Sequence, residues 1–145
     1  MTPRRAIGTL LSASLIAVTL AAASLPRAGE EPALSDAMRG MKVQLKLLTE
    51  GLKGPLVNEP QALAALTELQ VLTIAAKRGD PPHLDELAPK RQLATRRAFK
   101  ADLARLLKEL AAMEVDVLEG HPELAVARIR ADLMPLRDAA HEKFE

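Results

Sequence analysis

The chain has 145 residues, no cysteine, 27% charged residues and two aromatic rings, both phenylalanine. Its formal charge of +1, with both signs interspersed, gives no electrostatic case for nucleic acid or for a polybasic membrane surface. Without cysteine there is no disulfide, no thiol chemistry and no lipid-acceptor thiol.

A short basic start, residues 2–5, precedes an uncharged apolar run over 6–25. Ala21, Ala22, Ala23 and Ser24 supply the small residues that a signal peptidase needs. We read 1–24 as a cleaved export signal and 25–33 as a short linker. An uncleaved anchor is the alternative, because the run is close to bilayer-spanning length. Cleavage removes Arg4 and Arg5 and no acid, so the formal charge moves from +1 to −1. What remains, 34–145, is enough for one core and one domain.

Helical periodicity runs through nearly all of that remainder, with no strand-like alternation. The first helix is expected to begin at Ser35 as N-cap, with Asp36 near the positive end of its dipole. Its seam reads Met38, Met41, Leu45, Leu48, Leu52, an unbroken heptad pattern that Gly51 and Gly54-Pro55 end. Asn58, Glu59 and Pro60 open a second helix, whose buried side is marked by Leu63, Leu66, Leu69 or Gln70, Thr73 and Ala76. Gly79-Asp80-Pro81-Pro82 stops it.

A third helix over about 89–119 carries Phe99, Leu103, Leu106, Leu110, Met113 and Val117. Gly120-His121-Pro122 separates it from a fourth, with Val126, Ile129, Leu133, Leu136, Ala140 and Phe144. Pro135 lacks the N–H that would bond the Ala131 carbonyl, which predicts a kink. Four such helices with short connections predict an all-α fold, an antiparallel up-down-up-down four-helix bundle with crossing angles near about +20°.

That topology would gather Met38, Met41, the Asp80-Pro81-Pro82-His83 loop, Phe99 and His141 at one end. A thioether and an imidazole facing each other across a bundle core can serve as the two axial ligands of a haem iron. Taken singly, Met38 reads as core filler and His141 as a favourable charge at a helix C-terminus. From the residues alone both readings stand.

Several segments extend the first of them: Leu34-Ser-Asp-Ala-Met38 with Leu45-Lys46, Ala65-Leu66-Thr67-Glu68, Pro81-Pro82-His83-Leu84-Asp85, and Arg137-Asp138-Ala139-Ala140-His141-Glu142-Lys143-Phe144. Across 34–145 the chain resembles the soluble periplasmic four-helix b-type cytochromes, the cytochrome b-562 family. The resemblance implies Met38 and His141 as axial ligands of one non-covalent haem b, with Pro81, Pro82 and Phe99 close to it. Met41 shares that end, and Arg137, one turn before His141, is placed to approach a propionate. The related c-type proteins attach haem through two cysteines, where this chain has Arg137 and Ala140. Other departures are Pro135, which would rotate the last turns, the final Glu145 where a basic residue is expected, and a lengthened 51–58 connection.

An iron with both ligands filled has no open position, which argues for outer-sphere electron transfer and against an enzyme. No serine–histidine–acid set, phosphate loop or metal-spaced cluster competes. The implied protein is a periplasmic electron carrier serving unidentified redox proteins, without stable membrane association once processed. A haem-free exported bundle acting as scaffold, stress sensor or binding module fits the same four stripes, and haem storage is a third reading. The linear sequence shows no obvious acidic or basic docking patch, so it leaves the partner's charge open.

Overall fold

The first helix, α1, spans Leu34–Gly51 in the computed structural model, which describes residues 34–144. The expected export signal, the linker and Glu145 lie outside the described residues. Ser35 is an exposed residue inside α1 and not the N-cap expected of it, since the helix already includes Leu34. The end of α1 falls at Gly51, as its glycine predicts. Gly51 is buried there, and the Asn58 N–H donates to its carbonyl at 2.8 Å, folding the connection back.

The second helix, α2, spans Glu59–Arg78. Asn58 caps it by accepting from the Gln61 N–H at 3.2 Å, and Pro60 occupies the first turn, where its missing N–H costs nothing. A short connection then carries one 3-10 turn, Leu84–Glu86, with Pro81 and Leu84 buried beneath it. His83 enters that turn at φ 56°, a left-handed backbone that histidine adopts more readily than most residues.

Helix α3, Pro89–Leu118, is the longest element. Gly120, at φ +81°, ends it. The His121 N–H reaches the Asp116 carbonyl at 2.8 Å and the Gly120 N–H reaches that of Val117 at 3.1 Å, so a Schellman turn satisfies two of the last carbonyls. The fourth helical stretch has three parts: α4 (Pro122–Arg128), a π turn (Ile129–Leu133) and α5 (Met134–Phe144). Within the π turn the Met134 N–H bonds the carbonyl of Ile129, five residues back. Pro135 follows directly. Its ring would strike the Ala131 carbonyl in a regular helix, and a widened turn at that point relieves the conflict.

The described residues are all-helical, with no strand, and four helices pack together. α1 lies along α2, α2 along α3, and α3 along α4, the π turn and α5. Two apolar clusters hold them. The larger joins Leu48, Leu66, Leu69, Leu110, Met113 and Leu133 among others. Fully burying side chains of this size contributes about 1.5–3 kcal/mol each, which makes this half the anchor of the fold. The smaller cluster joins Ala37, Ala76, Phe99 and Leu103, with Leu34, Met41, Leu106 and Phe144 packed against it.

Candidate functional site

Met38 and His141 stand where apolar packing thins. Along the seam of α1, Leu48 and Leu52 are buried, Leu45 and Met41 are half-buried, and Met38 is 40% exposed. The fourth helix grades the same way: Ala125, Ile129 and Leu133 are buried, while α5 buries no residue at all. Leu136, Ala140 and Phe144 are half-buried and His141 is exposed.

Helical phase tells which flank each ligand occupies. Gly40 marks the side of α1 turned to α2, since a Cβ there would lie 2.9 Å from Leu72 Cδ1. At about 100° per residue, Met38 and Leu45 stand roughly 160° and 140° around α1 from Gly40. On α5, Lys143 marks the side turned to α3 through its Nζ contact with Asp102 at 3.1 Å. His141 stands roughly 160° around from it. Met38 therefore lies across α1 from Gly40, roughly 60° from Met41, and His141 lies across α5 from Lys143, roughly 60° from Phe144, which packs on Phe99 of α3.

The remaining expected residues divide. Met41 and Phe99 meet in the smaller cluster. The Met41 sulfur also lies 3.9 Å from the Thr73 hydroxyl, which donates mainly to the Leu69 carbonyl at 2.7 Å. Phe99 is buried, and Phe144 meets it edge to face with centroids 5.2 Å apart. Pro82 is exposed, outside that cluster, whereas its neighbour Pro81 is buried. Arg137 is exposed and its guanidinium engages the adjacent Asp138 at 2.6 and 2.9 Å.

The Phe99–Phe144 pair was within reach of the sequence, since these are the chain's two aromatic residues. Ala37 gave no such signal, since a small residue reads as ordinary helix content, whereas Thr73 falls on the buried side that the periodicity of the second helix marks. Among the described residues, no group of three or more His, Cys, Asp and Glu side chains could hold a metal ion, and no helix is long and apolar enough to cross a membrane. Chemically, the Met38 thioether and the His141 imidazole are donor types suited to iron in a macrocycle and too few for a bare ion. Comparison with protein-family models and with curated proteins found no match for this chain.

Proposed function

We propose that the chain is an exported, periplasmic haem b protein that carries electrons, with Met38 and His141 as its axial ligands. We further propose that its helices alternate in direction, up-down-up-down. The small cluster supports that arrangement, because Ala37 and Phe99 come from the starts of α1 and α3 while Ala76 and Phe144 come from the ends of α2 and α5. The observation that carries the haem reading is the matched thinning of apolar packing. Met41 and Leu45 on α1, and Leu136, Ala140 and Phe144 on α5, are apolar and only half-buried, and α5 buries no residue. Such surface gains most from covering a flat apolar group.

Bound haem would supply a one-electron iron couple. The chain's own residues do the rest. Met38 offers a soft thioether and His141 an imidazole, a set that raises the reduction potential relative to two nitrogen ligands. Met41, Leu45, Phe99 and Phe144 would exclude water from the apolar faces. Arg137, whose exposed contact with Asp138 is worth little to stability, would be free to hold an acidic edge of the group. No cysteine is present to form a covalent attachment, so the group is held by two coordinate bonds and burial and should be extractable.

Titrating haemin into the purified protein tests this. The expected result is sharp low-spin bands on reduction, abolished or altered by Met38→Ala and by His141→Ala separately. A spectrum that stays that of free haemin rejects the proposal. N-terminal sequencing of the exported protein should begin at Ser24 or Leu25. The haem-free scaffold has one observation in its favour: no buried side-chain polar atom among the described residues lacks a partner, so the fold is complete in its polar bonding. A colourless, stable exported protein would select it.

A further inference from the structure

The stretch 87–101 contains five basic residues and no acid: Lys90, Arg91, Arg96, Arg97 and Lys100. Folding sorts them. Arg96 turns to the connection that follows α2 and donates to Asp80 at 2.6 and 2.9 Å. Lys90, Leu93, Arg97 and Lys100 follow a three–four–three spacing and all are exposed, so they form one stripe on α3. That stripe is about 15 Å long at 1.5 Å per residue, with its Lys90 end turned away from buried Phe99 and its Lys100 end on the flank next to buried Leu103. Exposed Ala94, Ala101 and Ala104 keep its surroundings low and flat.

Two independent facts set this stripe apart from an ordinary solvated face. First, most other cations of the described fold have an acid beside them: Arg39 with Asp36, Lys46 with Glu50, Arg105 with Asp102, Arg128 with Asp116, Arg137 with Asp138. No described acid forms an ion pair with Lys90, Arg91 or Arg97, while Lys100, one turn beyond Arg96, feels the charge of Asp80 without bonding it. Second, Lys90 and Arg91 stand in the first turn of α3, at the positive end of its dipole, where they repel the helix's own N–H groups. The start of α3 also has no side-chain cap and no acid in its first turn. A local rule broken three times at one place costs stability and points to a use elsewhere.

We propose that this face of α3 docks an acidic protein surface in a weak, salt-sensitive encounter. Protein is favoured over membrane because the stripe offers one large apolar side chain, Leu93 at 49% exposure, and so has no apolar face to bury in lipid. The argument is independent of haem and holds for a scaffold as well as for an electron carrier. It also supplies the partner charge that the unfolded order of residues concealed.

A labelled poly-glutamate peptide titrated into the full chain, read by amide NMR shifts and anisotropy, provides the test. Shifts should concentrate in residues 89–101, and raising salt from about 20 to about 200 mM should weaken binding roughly tenfold or more. The triple variant Lys90→Glu, Arg97→Glu, Lys100→Glu should lose binding while its melting temperature holds, since all three side chains are exposed and glutamate is a good helix former. Lys46→Glu with Lys53→Glu should leave binding unchanged. Shifts spread over the whole surface, binding that survives the triple variant, or binding to anionic phosphatidylglycerol vesicles without binding to the peptide would each overturn the proposal.

Discussion

Phe99 and Phe144, forty-five positions apart in the chain, meet edge to face at 5.2 Å with their ring planes 84° apart. One comes from the first turns of α3 and the other from the last turn of α5, and Lys143 repeats the tie through Asp102. The pair is the aromatic clasp of the thinly packed end. Phe99→Ala should cost about 3 kcal/mol, as for a buried aromatic. Phe144→Ala, at a half-buried helix end, should cost about 1–2 kcal/mol. Urea unfolding of both single variants and the double variant should return a coupling of about 0.5–1.5 kcal/mol.

Two glycines of α1 should respond oppositely to alanine. At Gly51 a Cβ would lie 3.1 Å from the Ala62 nitrogen and 3.3 Å from the Asn58 oxygen, both backbone atoms at the start of α2. Gly51→Ala should therefore lower stability by about 1–2 kcal/mol despite its better helix propensity. At Gly40 the obstacle is the tip of the Leu72 side chain, which can turn aside. Gly40→Ala should be neutral or stabilising by up to about 1 kcal/mol. Thermal unfolding of the two proteins side by side checks both signs.

Replacing Pro135 separates stability from ligand placement. Pro135→Ala restores an N–H and removes the ring that faces the Ala131 carbonyl, so the π turn loses its cause. Stability should rise by about 1–2 kcal/mol. Converting a π turn to α rotates everything downstream by roughly 100° about the axis. If His141 ligates iron from its present flank, the stabilised variant should bind haemin more weakly, read from the reduced low-spin bands.

The connection between α2 and α3 carries two exposed pairs with opposite pH signatures. The Arg96 hydrogen bond holds Asp80 below its ordinary 3.8, so this pair's contribution is present at neutral pH and lost as pH falls through the lowered value. Glu86, bonded to the His83 ring at 2.8 Å, raises His83 above 6.5. That contribution is complete below 6.5 and lost as pH rises through the raised value. In an NMR titration the His83 midpoint should fall toward 6.5 in Glu86→Gln, while Arg96→Gln should move Asp80 upward.

Helix positions and the buried stripe were legible because both follow from local rules. Asn58 with Pro60 fixed one start, Gly120 one end, and the spacing of Leu103, Leu110, Met113 and Val117 marked a face that is buried. Ser35 misled because a favoured cap residue also fits inside a first turn. Pro135 announced a disturbance, but periodicity cannot tell a bend from a widened turn. Asp116 is buried and nothing local marks it, since its partner Arg128 lies across a chain reversal that no local pattern encodes. The basic stripe was present letter by letter, yet it became a surface only when Arg96 turned to Asp80 and its neighbours did not. Of the proposed site, residue types were legible; their flanks and exposure depended on the π turn and on which helices lie side by side.

The uneven distribution of packing has a kinetic consequence. Leu48, Leu66, Leu110 and Met113 secure one half of the molecule, while the first turns of α1 and all of α5 hang from it with little buried. Fluctuations should thus part the tips of those two helices like the jaws of a peg, leaving the hinge half intact. Amide hydrogens of 34–42 and 136–144 would exchange long before those of 62–70 or 106–117. A guest entering between the jaws would slow that early exchange without altering the late one, so occupancy could be read from deuterium uptake alone.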